Sequence, residues 1–163
     1  PPMVCEPLEL ENNYDSGYLT IKESLISGKG NHHDGNICLD VLNTLNKVKL
    51  KLDMDFLLTV EEEPSKEFTI ERVIKDGIED GKYLTEAQAA VIVKTQLDNW
   101  HHFKPQSEKV YKLMYDLGNE FYLTHKVDKR GRIYAQGYHI STQSTAFKKA
   151  CIELANEELV TGI

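Results

Sequence analysis

The sequence contains few cysteines and no arrangement of them that would build a structural site. Its 163 residues include three, Cys5, Cys38 and Cys151. They lie far apart and include no C-x-x-C pair, which argues against a disulfide framework or a zinc knuckle. We therefore expect buried or half-buried thiols, no metal-binding residues, and a cytoplasmic location, in the host cytoplasm if the chain comes from a phage.

Long apolar runs and phosphate-binding loops are also missing. No run approaches the roughly 20 residues that cross a bilayer, and the first residues lack the charged and apolar regions of a signal peptide. The glycines of residues 27–31 do not have the G-x-x-x-x-G-K-[ST] spacing of a P-loop. Membrane spans and P-loop chemistry are thereby excluded. Because the chain does not begin with Met, we expect a processed chain or an excerpt from a longer one.

An excess of positive charge is absent overall but present in one segment. The formal net charge is -7, which argues against non-specific coating of nucleic acid. Residues 61–86 carry nine acidic and four basic side chains, whereas residues 124–150 carry six basic and one acidic side chain. An acidic protein with one concentrated basic segment can hold nucleic acid at a defined place. A solvated charged loop is the alternative that charge alone leaves open.

The apolar periodicity predicts a mainly helical α+β chain. Thr85 and Gln88 form a capping box, and Pro105 suits the first position of a new helix, so two long helices should meet at residues 104–105 in a hairpin or sharp elbow. Helices are predicted over residues 20–27, 34–52, 55–62, 69–80, 85–104, 105–123 and 144–156, and a strand over residues 132–137.

One short segment combines residue types that suit nucleic-acid binding. It is Asp128-Lys129-Arg130-Gly131-Arg132-Ile133-Tyr134. Guanidinium groups bind phosphate oxygens bidentately, glycine allows close approach or a positive φ, and tyrosine can stack on a base or sugar. Asp128 can orient one arginine so that the other remains free for a ligand. The segment predicts contact with a nucleic-acid backbone without reading of its sequence.

The segment resembles the D-x-x-G-R motif of single-subunit RNA polymerases of the phage and mitochondrial type, in its fuller form D-x-R-G-R-x-Y. Upstream, Pro2-Met3-Val4, Glu6-Pro7-Leu8 and Ser16-Gly17-Tyr18-Leu19 are similar to the family's P-M-V…P-P-L-x-W…G-G-Y-L segment. Downstream, Gln143 and residues 147–155 resemble the helix that follows the motif. Two departures stand out: Leu10 replaces the usual tryptophan, and residues 141–146 lack the aspartate of the family's N-P-Q-G-x-D element.

The resemblance implies that catalysis resides elsewhere. Nucleotidyl transfer requires two metal ions held by carboxylates on separate strands, and in the family these lie after the region matched here. His33-Asp34 is similar to the family's catalytic His-Asp pair but lies too early in the chain, among polar residues. We therefore expect no catalytic residue and no cofactor in this chain, with Mg in the complete enzyme. The rest of palm and fingers would come from a missing C-terminal part or, as we favour, from the second polypeptide of a split, two-subunit phage polymerase.

The resemblance also implies a division of the chain and a set of contact residues. Residues 1–68 would form an N-terminal helical support, residues 69–120 a helical thumb, and residues 121–163 the start of a palm. The function would be DNA-directed RNA synthesis within a larger enzyme, with DNA template and RNA transcript as partners. The predicted template- and hybrid-binding residues are Asp128, Arg130, Gly131, Arg132 and Tyr134, with possible further backbone contacts from Lys126, Lys129, Lys148 and Lys149.

Two other classes of function stay open. A non-enzymatic accessory factor could bind nucleic acid through the same basic loop. A helical interaction module could use the two arginines only for salt bridges.

Overall fold

The computed structural model describes residues 1–60, 64 and 67–158. Its elements fall into two compact units: unit 1 contains Pro1–Leu58 and the chain from Val110 onward, and unit 2 lies within Thr59–Lys109. Helices and small antiparallel sheets confirm the α+β class. In chain order the elements are α1 (Leu39–Asn46), β1 (Leu50–Leu52), α2 (Met54–Leu58), α3 (Ile70–Glu79), α4 (Glu86–Asp116), β2 (His125–Val127), β3 (Ile133–Ala135), α5 (Ala146–Ala150) and β4 (Ile152–Leu154).

The first sheet of unit 1 pairs β1 with β4 in antiparallel register, Leu50 opposite Leu154 and Leu52 opposite Ile152. Leu50 also bridges to Phe121. These pairings correct two predictions. The helix expected over 34–52 is confined to α1, and the helix expected over 144–156 is α5 followed by a strand. Strand pairing between distant segments of the chain, together with burial, outweighs the local helix propensity. The main core cluster of this unit contains Leu50, Leu52, Tyr111, Met114, Phe121, Leu123, Ile140 and Cys151.

The helix predicted over residues 20–27 is absent. This segment instead runs parallel to β2, where Ser27 N donates to Val127 O and Val127 N donates to Leu25 O, both at 2.8 Å. Leu25 and Val127 are buried in a second cluster with Leu10 and Leu42. The N-terminal segment is therefore hydrogen-bonded to β2. In the second sheet, β2 pairs antiparallel with β3.

Unit 2 contains α3 and the first part of α4. Thr69 caps α3 by accepting a hydrogen bond from Arg72 N at 3.3 Å. The helix predicted over residues 69–80 is therefore confirmed. The predicted capping box is also present: Thr85 N donates to Gln88 Oε1 at 2.9 Å and Gln88 N donates to Thr85 Oγ1 at 3.3 Å.

The predicted break at Pro105 is wrong, because α4 is one helix of 31 residues with Pro105 inside it. An interior proline costs a helix about 3 kcal/mol. The turns that follow it are fixed by packing, since Tyr111 and Met114 are buried in the unit 1 core. The predicted C-terminal end at residue 123 is also too late, because residues 121–124 are extended and buried.

Three further predictions concern single elements. The helix predicted over 55–62 is α2, Met54–Leu58, and residues 61 and 62 lie outside the described part of the chain. The expected burial of the thiols holds for Cys151 only, because Cys5 and Cys38 are exposed. Within the described ranges, no helix is both long and apolar enough to cross a membrane. The division into support, thumb and palm stays a prediction.

Candidate nucleic-acid interface

The candidate site is the turn Asp128–Arg132, which joins β2 to β3. Val127 lies opposite Ile133 at the end of the ladder. Two main-chain hydrogen bonds close the turn: Asp128 N donates to Arg132 O at 2.9 Å, and Gly131 N donates to Asp128 O at 3.0 Å. Gly131 has φ +87° and no atom within 4 Å of the position that a Cβ would take. A left-handed conformation of this kind favours glycine, and here the glycine faces open space.

The carboxylate of Asp128 organises the turn from within. Its Oδ1 accepts the backbone amides of Arg130 at 2.8 Å and Arg132 at 2.9 Å. Hydrogen bonds to the charged form favour that form. The Arg132 amide, and then the side chain and amide of Arg130, hold the pKa of Asp128 below its ordinary value. The aspartate is therefore charged at neutral pH and fixes the backbone between the two arginines.

The second oxygen of Asp128 holds Arg130. Oδ2 accepts from Arg130 Nε at 3.2 Å and from Nη2 at 3.1 Å, and it lies 3.3 Å from the hydroxyl of Tyr134. This pairing raises the pKa of Arg130. The side chain of Arg130 is still 66% exposed, so part of its guanidinium faces solvent while one edge is engaged.

Arg132 differs from Arg130 in its side-chain contacts. Its backbone amide is bound to Asp128, but its guanidinium is exposed and makes no hydrogen bond or ion pair within the described part of the chain. The turn thus contains one arginine that is held and one that is open. The contact of Asp128 with one arginine fits the expected orienting role of the aspartate, and the binding of nucleic acid by either arginine stays a prediction.

The four lysines that the sequence offered as backbone contacts differ from one another. Lys126 is 19% exposed and pairs with Glu23 at 2.6 Å, which lowers the pKa of Glu23. Its charge is therefore already balanced. Lys129 in the turn is exposed, as is Lys149 on α5. Lys148 lies 4.3 Å from the centroid of the Tyr138 ring, and partial desolvation lowers the pKa of Lys148.

Three residues that sequence reasoning did not assign to this site contact the turn or its strands. Gln143 binds two main-chain groups of β3, accepting from Ala135 N at 2.6 Å and donating to Ile133 O at 3.1 Å. His33 Nε2 lies 3.2 Å from Asp128 O, and Glu23 neutralises Lys126 on β2. The D-x-R-G-R-x-Y spacing carries no signal for Glu23 or His33, because both are about 100 residues distant. Gln143 stands in the downstream part of the resemblance, without a role.

The exposed side chains of the hairpin suit an anion. Over the residues that the structure describes, no group of three or more His, Cys, Asp or Glu side chains is placed to hold a metal ion. What the turn does offer is an exposed guanidinium, an exposed lysine and a half-exposed tyrosine ring beside an open glycine.

Comparison with known proteins relates the chain to polymerases. No protein-family model matches it. The chain is 26% identical over 167 residues to a probable DNA-directed RNA polymerase of Podospora anserina, a match that covers 93% of this chain and 17% of that protein. It is 28% identical over 163 residues to a probable DNA-directed RNA polymerase of Gelasinospora sp. (strain G114), with 94% and 17% covered. The chain thus spans about a sixth of the length of these relatives, and along most of its own length it is distantly similar to DNA-directed RNA polymerases.

Proposed function

We propose that this chain forms part of a DNA-directed RNA polymerase and that its turn Asp128–Arg132 binds the sugar-phosphate backbone of the template strand or of the RNA–DNA hybrid. The single observation that carries the proposal is the open guanidinium of Arg132 beside an arginine that Asp128 already holds. The distant similarity to two polymerases over more than nine-tenths of the chain supports the same function.

The chemistry of the turn suits a backbone contact. The five N–H donors of a guanidinium match two phosphate oxygens at once. Because phosphates carry no sequence information, such a contact positions nucleic acid without selecting its bases. Gly131 leaves space for the strand to approach the turn, and Tyr134, whose side chain is 42% exposed, offers a ring surface for a sugar or base.

The turn would be one part of a larger enzyme. Residues 69–120 would contribute to a thumb and residues 121–163 to the start of a palm. The catalytic carboxylates and their Mg ions would come from another part of the enzyme, supplied by a second polypeptide as in a split phage polymerase. Lys129 and Lys149, both exposed, would add backbone contacts.

The direct test compares two arginine-to-alanine variants of the full chain. Binding to a fluorescein-labelled RNA–DNA hybrid with a single-stranded template overhang is followed by anisotropy at several salt concentrations. We expect Arg132→Ala to weaken binding about tenfold and to lower the slope of log K against log salt by about one. Arg72→Ala is the matched control, because Arg72 is also exposed but lies on α3.

Each alternative predicts a different result. If Arg132→Ala binds the hybrid as tightly as the unchanged chain and with the same salt slope, the two arginines serve only as salt-bridge partners and the proposal is wrong. A non-enzymatic accessory factor would show the binding loss, yet adding candidate partner polypeptides, nucleotides and Mg would give no RNA synthesis. RNA synthesis that appears on mixing and weakens with Arg132→Ala supports the polymerase.

A further inference from the structure

Gln143 occupies the free edge of β3. In an antiparallel hairpin, main-chain groups of successive residues point alternately to the two edges of a strand. Arg132 O and Gln136 N point towards the β2 side, where they bind Asp128 N and Thr124 O. Ile133 O and Ala135 N therefore face the opposite edge, and the side-chain amide of Gln143 binds both of them. One side chain thus binds two of the main-chain groups that a third strand would bind.

Side-chain amides bind two main-chain groups at three other described positions of unit 1. The amide of Asn13 joins Gly35 O and Ile37 N, at 2.8 and 3.0 Å, across one intervening residue as Gln143 does. The amide of Asn43 binds both main-chain groups of Leu10, at 2.8 and 3.1 Å, and the amide of Asn119 binds both groups of Leu52, at 2.9 and 3.1 Å. Leu10 and Leu52 are buried core residues, so those two amides hold the core together.

Gln143 is exposed and binds β3 around the exposed Tyr134. Its partners Ile133 and Ala135 are partly buried against the two core clusters, so packing holds their side chains while Gln143 holds their main-chain groups.

The contacts of Gln143 lie next to the residues proposed to bind nucleic acid. The two main-chain groups that Gln143 binds lie immediately before and after Tyr134, and Ile133 directly follows Arg132. Gln143 is itself fixed, because its backbone amide donates at 3.2 Å to the hydroxyl of the buried Ser141. Rotation of the peptide groups on either side of Tyr134 would break one or both side-chain bonds. The β3 end of the turn is therefore held from two sides, by Asp128 and by Gln143.

We propose that Gln143 is a positioning residue for nucleic-acid binding: it fixes β3 so that Arg132 and Tyr134 present a preset surface, without itself contacting a phosphate. This inference rests on the proposed function of the turn. Fixing a binding loop in advance raises affinity by lowering the ordering cost of binding. Loss of Gln143 should then weaken binding without removing a phosphate contact.

The first variant removes the clamp without adding charge. Gln143→Met keeps the length of the side chain and loses both hydrogen bonds. We expect faster hydrogen exchange at the Ala135 amide and about fivefold weaker hybrid binding. The salt slope should stay unchanged, in contrast to the loss of about one for Arg132→Ala. A salt slope that falls as far as it does with Arg132→Ala would contradict a positioning role.

The second variant makes the clamp depend on pH. In Gln143→Glu an ionised carboxylate accepts from Ala135 N but cannot donate to Ile133 O, whereas the protonated acid has a donor and an acceptor, as glutamine does. We expect the protection of the β3 amides and the hybrid affinity to recover together as the pH falls through the carboxyl range, about pH 5 to 4. Thr142→Glu, at the neighbouring exposed position, adds the same charge without touching the clamp. Its β3 amides should stay protected throughout.

The outcomes separate this inference from the function on which it rests. If Arg132→Ala weakens binding while Gln143→Met changes neither exchange nor affinity, Gln143 has no positioning role and the proposed interface stands. If Arg132→Ala leaves binding intact, the interface itself is wrong. Equal acid recovery of affinity in Gln143→Glu and Thr142→Glu, with no change in protection, would attribute the effect to charge and overturn the inference.

Discussion

The turn Asp128–Arg132 and helix α3 contain the same residue types in different architectures. In α3, Arg72 Nε lies 4.0 Å from Asp76 Oδ2, and the chain leaves the helix through Gly81 with φ +74°. The backbone of α3 is held by its own main-chain hydrogen bonds. Its arginine–aspartate pair is a contact between exposed side chains, of the kind that contributes little to stability.

In the turn, the Asp128 carboxylate accepts backbone amides, as main-chain carbonyls do in α3. Asp128 accepts two backbone amides and the Arg130 guanidinium, while main-chain bonds close the turn only at residues 128, 131 and 132. An arginine–aspartate pair therefore matters to structure where the carboxylate also replaces missing main-chain hydrogen bonds. Substitutions at matched positions of the two regions test this conclusion.

The largest difference is expected between Asp128→Ala and Asp76→Ala. Asp128→Ala removes the acceptor for two amides and one guanidinium, so we expect disorder in the turn and about tenfold weaker hybrid binding. Asp76→Ala should leave binding unchanged and alter the free energy of unfolding by less than about 0.5 kcal/mol. Anisotropy titration and thermal unfolding of both variants measure these effects. Equal losses of binding would remove the distinction between the two regions.

A pH titration tests the charge of Asp128 without a change of side chain. The pKa of this carboxyl is lowered in the folded chain, so its stabilising effect is present above the unfolded-state pKa and is lost as pH falls through the folded pKa. The NMR signals of the Arg130 and Arg132 amides should therefore remain unchanged down to about pH 5 and shift only in stronger acid. A titration of these amides at higher pH would show that the carboxylate is not held as described.

The next difference concerns the two left-handed glycines. Gly131 and Gly81 both have positive φ and no atom within 4 Å of a Cβ position. Alanine should therefore cost each site about 1–2 kcal/mol of stability through backbone strain alone. Only Gly131→Ala places a methyl group where nucleic acid would approach, so we expect about fivefold weaker binding for it and none of that loss for Gly81→Ala. Equal binding by the two variants would place the strand away from the turn.

The same two regions show what the sequence could predict. The boundaries of α3 and the capping box at Thr85 depend on residues within a few positions of one another, and local patterns predicted them. The segment 20–27 and β4 depend on partners about 100 residues away, and their local apolar spacing predicted helices. His33 could not be placed at the turn for the same reason. Gln143 lies only 8 and 10 residues from the groups that it binds, but no local spacing pattern connects it with them.

The smallest effect on hybrid affinity is expected for loss of the Tyr134 hydroxyl, which faces the Asp128 carboxylate. The hydroxyl lies 3.3 Å from Asp128 Oδ2, which is long for an O–H···O hydrogen bond. Tyr134→Phe keeps the exposed ring, so hybrid affinity should change by less than about twofold. Tyr83→Phe, at a tyrosine that is 87% exposed in unit 2, gives the background of the same measurement. A loss in Tyr134→Phe as large as that in Asp128→Ala would mean that the hydroxyl, rather than the two amides and Arg130, keeps the carboxylate in place, and the turn would then depend on its aromatic residue.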